Sequence, residues 1–173
     1  MKKFFFSSSI IIMICFTWML SCNKVDTGTA MISVRLHDDP QNYDSVLIEI
    51  LEVRIHTSDS GWFSLNTQAG VYDLLQLQNG VDTLLVPPQQ IGAGKISQIR
   101  FILGDDNKVV EDGVDHDLLL SSQDESGLKL NLHEDIIAGQ EYVITIDFDA
   151  AQSIIEEGNG EYRLKPVLTA DLQ

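Results

Sequence analysis

Cys22 is the residue best placed to do chemistry. The chain opens on Met1-Lys2-Lys3, continues through Phe4-Phe5-Phe6, three serines and the apolar run Ile10 to Leu20, and closes on Met19-Leu20-Ser21-Cys22. A basic start, a short apolar middle and a small-residue exit make a secretory signal peptide. A cysteine directly after the small residue makes it a lipoprotein signal: cleavage before Cys22, and a thioether from its sulfur to lipid. The stretch from Phe4 to Leu20 is broken by serines and falls short of the roughly 20 apolar residues that a bilayer core requires, which favours a cleaved leader over an uncleaved anchor. Met19 and Leu20 depart from the usual pattern, which has Leu at the first position and a smaller residue at the second. Cys15 leaves with the leader, so the folded body keeps no thiol for a disulfide, a thiolate zinc site or a nucleophile.

Other chemistry-bearing residues are weaker signals. Asp105, Asp106, Asn107, Asp112 and Asp115 could offer oxygen ligands to a cation, but Val109 stands where a calcium loop needs an acid and no Glu follows at the right distance. Asp, Asn and Gly at strand ends are ordinary turn formers, and no metal is expected. Asp147 and Asp149 flank Phe148 and could act as acid and base. Their outward alternation on one strand, and a capping role for Asp149, favour structure over catalysis. His37, His56, His116 and His133 do not stand at metal-ligand spacing. Gly92-Ala93-Gly94-Lys95 lacks the earlier glycine, the following Ser or Thr and the helix of a phosphate loop. No Gly-x-Ser-x-Gly elbow exists. Trp62, the one tryptophan beyond the leader, could stack on a sugar with Tyr72 and Tyr43 on an exposed shelf, although such residues more often fill a core or an edge. No catalytic residue, no cofactor and no enzymatic activity are expected.

The elements that must position these residues belong to one domain. Residues 1–21 form the leader, 22–29 a lipidated tether, and 30–173 a domain long enough to bury its own core. The chain carries 11 Lys+Arg against 26 Asp+Glu, a net charge of −15, and loss of Lys2 and Lys3 makes the mature protein more negative still. So acidic a surface repels phosphate backbones, so nucleic acid is not an expected partner.

Alternation dominates from Ala30 onward. Ile32, Val34 and Leu36 oppose Ser33, Arg35 and His37; Leu51, Val53 and Ile55 oppose Glu52, Arg54 and His56, which predicts Leu51 inside. Asp38 to Asn42 reads as a turn. Asn79-Gly80 between Val71–Leu77 and Val81–Val86 predicts a hairpin, with Pro87-Pro88 ending its second arm and a loop over 89–94. Strands follow at Lys95–Leu103, Lys108–Val110, near Leu118–Leu120, and at Leu128–Leu132. Tyr142, Ile144, Ile146 and Phe148 face inward from the strand 141–149. Asp149 then caps a helix from Ala150 to about Glu156, with Gln152 closing a capping box. Glu161–Leu172 reads as one last strand. Nine or ten short strands and one short helix near the C-terminus give an all-β, antiparallel β-sandwich, immunoglobulin-like or transthyretin-like, with a closed barrel second.

Several pieces then fall in order: Asp39-Pro40, Tyr43-Asp44-Ser45-Val46, Glu52-Val53, Gly61-Trp62, Asp73 to Gly80, Gln98-Ile99-Arg100, Ser126 to Leu130, Asp147 to Ala150 with Ser153-Ile154, and Leu164-Lys165-Pro166. Together they resemble the domain of unknown function 4382 family, common in lipoproteins of Bacteroidetes-type bacteria. The resemblance runs from about Gly28 to Leu172, with Asp39 where the family usually has Ala. It implies a β-sandwich in the cell envelope and carries over no catalytic residue. Among Gram-negative relatives, Asn23 after the lipid cysteine implies outer-membrane sorting, and Asn23-Lys24-Val25-Asp26 partly matches a surface-display signal; a periplasmic and a surface-exposed face both stay open. The expected function is a non-enzymatic lipoprotein module held to the membrane by Cys22, with a protein or glycan ligand. A glycan-binding accessory of a polysaccharide-uptake system is the second reading, and a hydrolase using acidic residues the third.

Overall fold

The computed structural model describes residues 28–38, 42–120, 127–158 and 160–173. The leader, Cys22, most of the tether, and the turn residues 39–41 lie outside the described residues. The chain forms β1 (Thr29–His37), β2 (Ser45–Thr57), β3 (Gly61–Ser64), β4 (Gly70–Asp73), β5 (Thr83–Gly92), β6 (Gly94–Leu103), β7 (Lys108–Glu111), β8 (Val114–Leu120), β9 (Leu128–Ile136), β10 (Glu141–Phe148), α1 (Ala150–Ser153), β11 (Ile154–Glu156), β12 (Tyr162–Leu164) and β13 (Leu168–Leu172). A single 3-10 turn, Leu74–Leu77, lies between β4 and β5.

The strands make two sheets, in a β-sandwich-like all-β fold. One has the order β13-β10-β1-β5; in the other, β11-β12-β8-β7-β2-β6-β9 run side by side and β3 and β4 also pair with β2. Their inward sides share one core, in which Ile32, Leu36, Ile144 and Phe148 of the first sheet accompany Ile48, Ile55, Ile99 and Phe101 of the second. The sheets are mixed, not purely antiparallel: β1 runs parallel to β10, and β8 parallel to β12. A parallel pair needs a long connection. Between β1 and β10 the excursion through β2 to β9 supplies it.

β2 is the spine of the second sheet. Leu47 pairs with both Asp73 and Lys108, Ile50 with both Gly70 and Leu103, and Arg54 with both Ser64 and Arg100. The strand therefore has β3 and β4 along one flank and β6 and β7 along the other. Val46, Ile48, Ile50, Val53 and Ile55 are buried, whereas Leu51 is 46% exposed. Its register with β6 shifts between Ile50 and Glu52. Leu51 is thus the extra residue of a β-bulge, which switches the inward phase from even to odd numbers. Simple alternation could not show that switch, and the inward placement expected for Leu51 is wrong.

Four more expectations change. Asn79 and Gly80 do adopt positive φ, 56° and 82°. The flanking strands nevertheless part, β4 to β2 and β5 to β1, so the turn links two sheets and closes no hairpin. Pro87 and Pro88 lie inside β5, at a register shift on an edge strand, where a missing N–H is tolerated, and the expected loop over 89–94 is mostly strand. The C-terminal strand is two, because Lys165-Pro166-Val167 carries the chain from β12 in one sheet to β13 in the other. The helix is shorter than expected, since Ile154–Glu156 pairs with β12. Asp149 caps it as expected, accepting from Gln152 N–H at 2.9 Å. Asp149 N–H donates to the Val167 carbonyl, leaving the reciprocal half of the capping box unformed.

Candidate functional site

The outer face of β3, β2, β6 and β9 gathers the most unusual set of side chains. Burial of Val53 and Ile55 turns Glu52, Arg54 and His56 outward. A turn over 58–60, with Gly61 at φ 67°, folds β3 back and sets Trp62 opposite His56. The register then lines up two rows across the sheet. Trp62, His56, Gln98 and Asn131 form one; Ser64, Arg54, Arg100 and Lys129 form the next.

The first row is aromatic and amide-bearing. The Trp62 and His56 rings meet edge to face with centroids 5.2 Å apart. Ser97 Oγ lies 2.8 Å from His56 Nδ1 and 3.2 Å from the His56 carbonyl oxygen, to which its hydroxyl can donate. Gln98 Nε2 donates to Asn131 Oδ1 at 2.8 Å. The second row is cationic. Arg54 and Arg100 stand directly opposite one another, an unfavourable like-charge placement. The Arg100 guanidinium carbon lies 4.3 Å from the Trp62 ring centroid, a cation–π contact. Arg54 Nε is 3.9 Å from Glu52, which also accepts a hydrogen bond from Ser64 Oγ. The Nε atoms of Arg54 and Arg100 are buried and make no hydrogen bond. Gly127, at φ 96°, lies beneath the Arg100 stem, where a Cβ would come within 2.9 Å of Arg100 Cγ and Cδ.

The other aromatics do not join Trp62. Tyr72 pairs with Ile48, packs on the core and donates its hydroxyl to the Gln68 carbonyl. Tyr43 also packs on the core. All three remain half-buried, but no shared shelf of Trp62, Tyr72 and Tyr43 exists.

The oxygen-rich candidates separate too. Asn107 is buried: its Oδ1 accepts from Glu49 N–H (2.9 Å) and its Nδ2 donates to the Gly104 carbonyl (2.6 Å). Asp106 lies 3.3 Å from Lys108 Nζ. Asp112, at φ 51°, forms the β7–β8 turn with Gly113. Asp105 lines a cavity of about 250 Å³ with Asn107 and Leu118–Leu120. Asp115 lines another, of about 310 Å³, with His116, Asp117 and Tyr162. Among the described residues no three His, Cys, Asp or Glu side chains converge to hold a metal ion. Asp147 lies 3.7 Å from His37 across β1 and β10, and Asp149 caps α1.

Beside the larger cavity, Tyr162 donates its hydroxyl to Glu111 Oε2 at 2.6 Å, and its ring lies 4.6 Å from that of His116. This hydrogen bond, followed by burial and the charges of Glu111 and Glu156, pushes the Tyr162 phenol up to about 12. Sequence reasoning passed over Tyr162, Arg54 and Arg100. The outward positions of Arg54 and Arg100 follow from alternation, whereas Tyr162 lies on the buried side of β12, and the pairings that give each residue its neighbours are not local properties.

Fold and site together define a two-sheet domain with a polar, aromatic-centred outer face. The chain belongs to the family described as domain of unknown function (DUF4382), whose family model matches residues 29–166. Comparison with curated proteins and with solved structures finds no match. Among the described residues no helix is long and apolar enough to cross a membrane.

Proposed function

We propose that this chain is a cell-envelope lipoprotein of a Bacteroidetes-type bacterium. An acylated Cys22 holds it in the outer membrane, and its domain is a non-enzymatic binding module. The leader supports the anchor, because its basic, apolar and small-residue segments end at Cys22. β1 begins at Thr29, so the tether is only a few residues, about 25 Å at full extension. Gly139 N–H donates to the Thr29 carbonyl and Ala93 N–H to that of Gly28, so the tether leaves beside the β5–β6 and β9–β10 connections. The β2 end carrying His56 is joined to this region, since Ser58 N–H donates to the Lys95 carbonyl.

The observation that carries the binding reading is the outer face on which Trp62 meets His56 and Arg100. It spans β3, β2, β6 and β9, a surface for a ligand to lie on. A glycan-binding accessory role in polysaccharide uptake is favoured by the half-exposed Trp62 in a row with Gln98 and Asn131. A hydrolase has less support, since Asp149 is engaged at the start of α1.

Buried lipid contributes roughly 0.8 kcal/mol per methylene, so two or more chains hold a domain firmly. Membrane fractionation of the wild type and Cys22→Ala tests the anchor. The wild type is expected in the membrane pellet with a diacylglyceryl mass on its N-terminal peptide, and the variant in the soluble fraction. Equal retention of both would defeat it.

A further inference from the structure

We infer that the outer face of β3, β2, β6 and β9 binds an acidic polysaccharide, with its carboxylate or sulfate groups on the row Arg54, Arg100 and Lys129. The inference rests on the binding-module reading and specifies its ligand class. Of 11 Lys and Arg in the chain, Lys2, Lys3 and Lys24 precede the fold, and three of the remaining eight stand side by side in this one row of a protein with net charge −15. Folding alone disfavours like charges placed directly opposite. An anion laid across the row removes that repulsion and meets the guanidinium groups of Arg54 and Arg100, whose planar donors suit the two-pronged geometry of carboxylate and sulfate.

The neighbouring row explains why the anion is a saccharide. Trp62 is an aromatic of the kind on which pyranose C–H groups stack, and Gln98 and Asn131 offer amides to sugar hydroxyls. Strands lie about 4.8 Å apart, so the three cations span about 10 Å and repeat at close to the length of one sugar unit. An acidic peptide would dock by extending a sheet at an exposed edge. Here the cations centre on β2 and β6, both flanked by other strands.

Calorimetric titration of the full chain in detergent with polygalacturonate, dextran sulfate and plain dextran tests this. One acidic polymer is expected to bind at least tenfold more tightly than dextran, and which one separates carboxylate from sulfate recognition. Arg54→Gln with Arg100→Gln should weaken that binding at least tenfold. Lys129→Gln, a change at an exposed site with little risk to folding, should weaken it several-fold. Lys108→Gln, in a cation paired with Asp106 outside the two rows, should change it less than twofold. Failure of both acidic polymers to exceed dextran overturns the inference, as does a Lys108→Gln loss equal to that of the double variant. If all three polymers bind alike, Trp62→Ala abolishes binding and the arginine changes are silent, the charge inference falls while the binding module stands. Failure of the anchor shows separately, in the fractionation of Cys22→Ala.

Discussion

Single residues in this domain are legible only where their role is local. Asp149 as a helix cap and Asn79-Gly80 as a positive-φ turn could be named from neighbours in sequence, and the structure keeps both. Asp38 could not: it looked like a turn former, yet it is buried, and its carboxylate accepts from Ala150 N–H at 2.9 Å, more than a hundred residues away. Gly127 is a similar case. Its φ of 96° disfavours a side chain, and a Cβ there would come 2.6 Å from Ile102 Cδ1 as well as against Arg100. Gly127→Ala should therefore destabilise the domain by about 1–3 kcal/mol in urea unfolding; an unchanged midpoint would mean that the loop before β9 relaxes freely. Tyr162 makes a prediction in pH. Its folded pKa of about 12 exceeds the ordinary value of 10.0 because its hydroxyl is held by Glu111. The protonated phenol is the favoured folded form, so its contribution is complete below pH 10 and is lost as pH climbs through about 12. In an ultraviolet titration one tyrosine should ionise near 12, and Glu111→Gln should bring it down. A titration with every phenol ionised by pH 11 would contradict the contact.

At the scale of elements, hydrophobic period identified strands well and their partners poorly. The inward residues of β1 and β10 follow correctly from alternation, because each is governed by a period of two along one strand. Sheet membership is decided by pairing across long sequence separations. This is why Asn79-Gly80 looks locally like a hairpin turn and Glu161–Leu172 like one strand. It is also why the Trp62 and Arg54 rows could not be seen as a site. The Leu51 bulge yields a sharp test of the pairing. Removing Leu51 gives the sequence of β2 an unbroken inward alternation through Ile48, Ile50, Val53 and Ile55 and makes its ladder to β6 regular, since Ile50 pairs with Leu103 and Glu52 with Ile102. Deleting Leu51 should leave a protein that unfolds cooperatively. Deleting Ile48 instead shifts one part of β2 by a residue and exchanges its core and solvent faces, and should abolish folding. If circular dichroism melts show both deletions unfolded, or both folded, the bulge does not set the phase of this strand.

For the whole molecule, charge is distributed against its stability. The net charge of −15 acts over a small two-sheet body. The ion pairs Arg35–Asp82, Lys108–Asp106 and Arg163–Glu157 are all exposed by more than a third on at least one side. Pairs of that kind contribute about 0–1 kcal/mol each and weaken with salt. Repulsion among the excess carboxylates is also screened by salt, with a Debye length of about 30 Å at 0.01 M and about 8 Å at 0.15 M. The repulsion is shared by many unpaired acids and reaches across the body at low salt, whereas the attraction comes from a few short contacts, so screening removes more repulsion than attraction. The melting temperature should therefore rise between 0.01 and 0.15 M sodium chloride. A melting temperature that fell with added salt would show that the cation-bearing contacts outweigh the acidic surface.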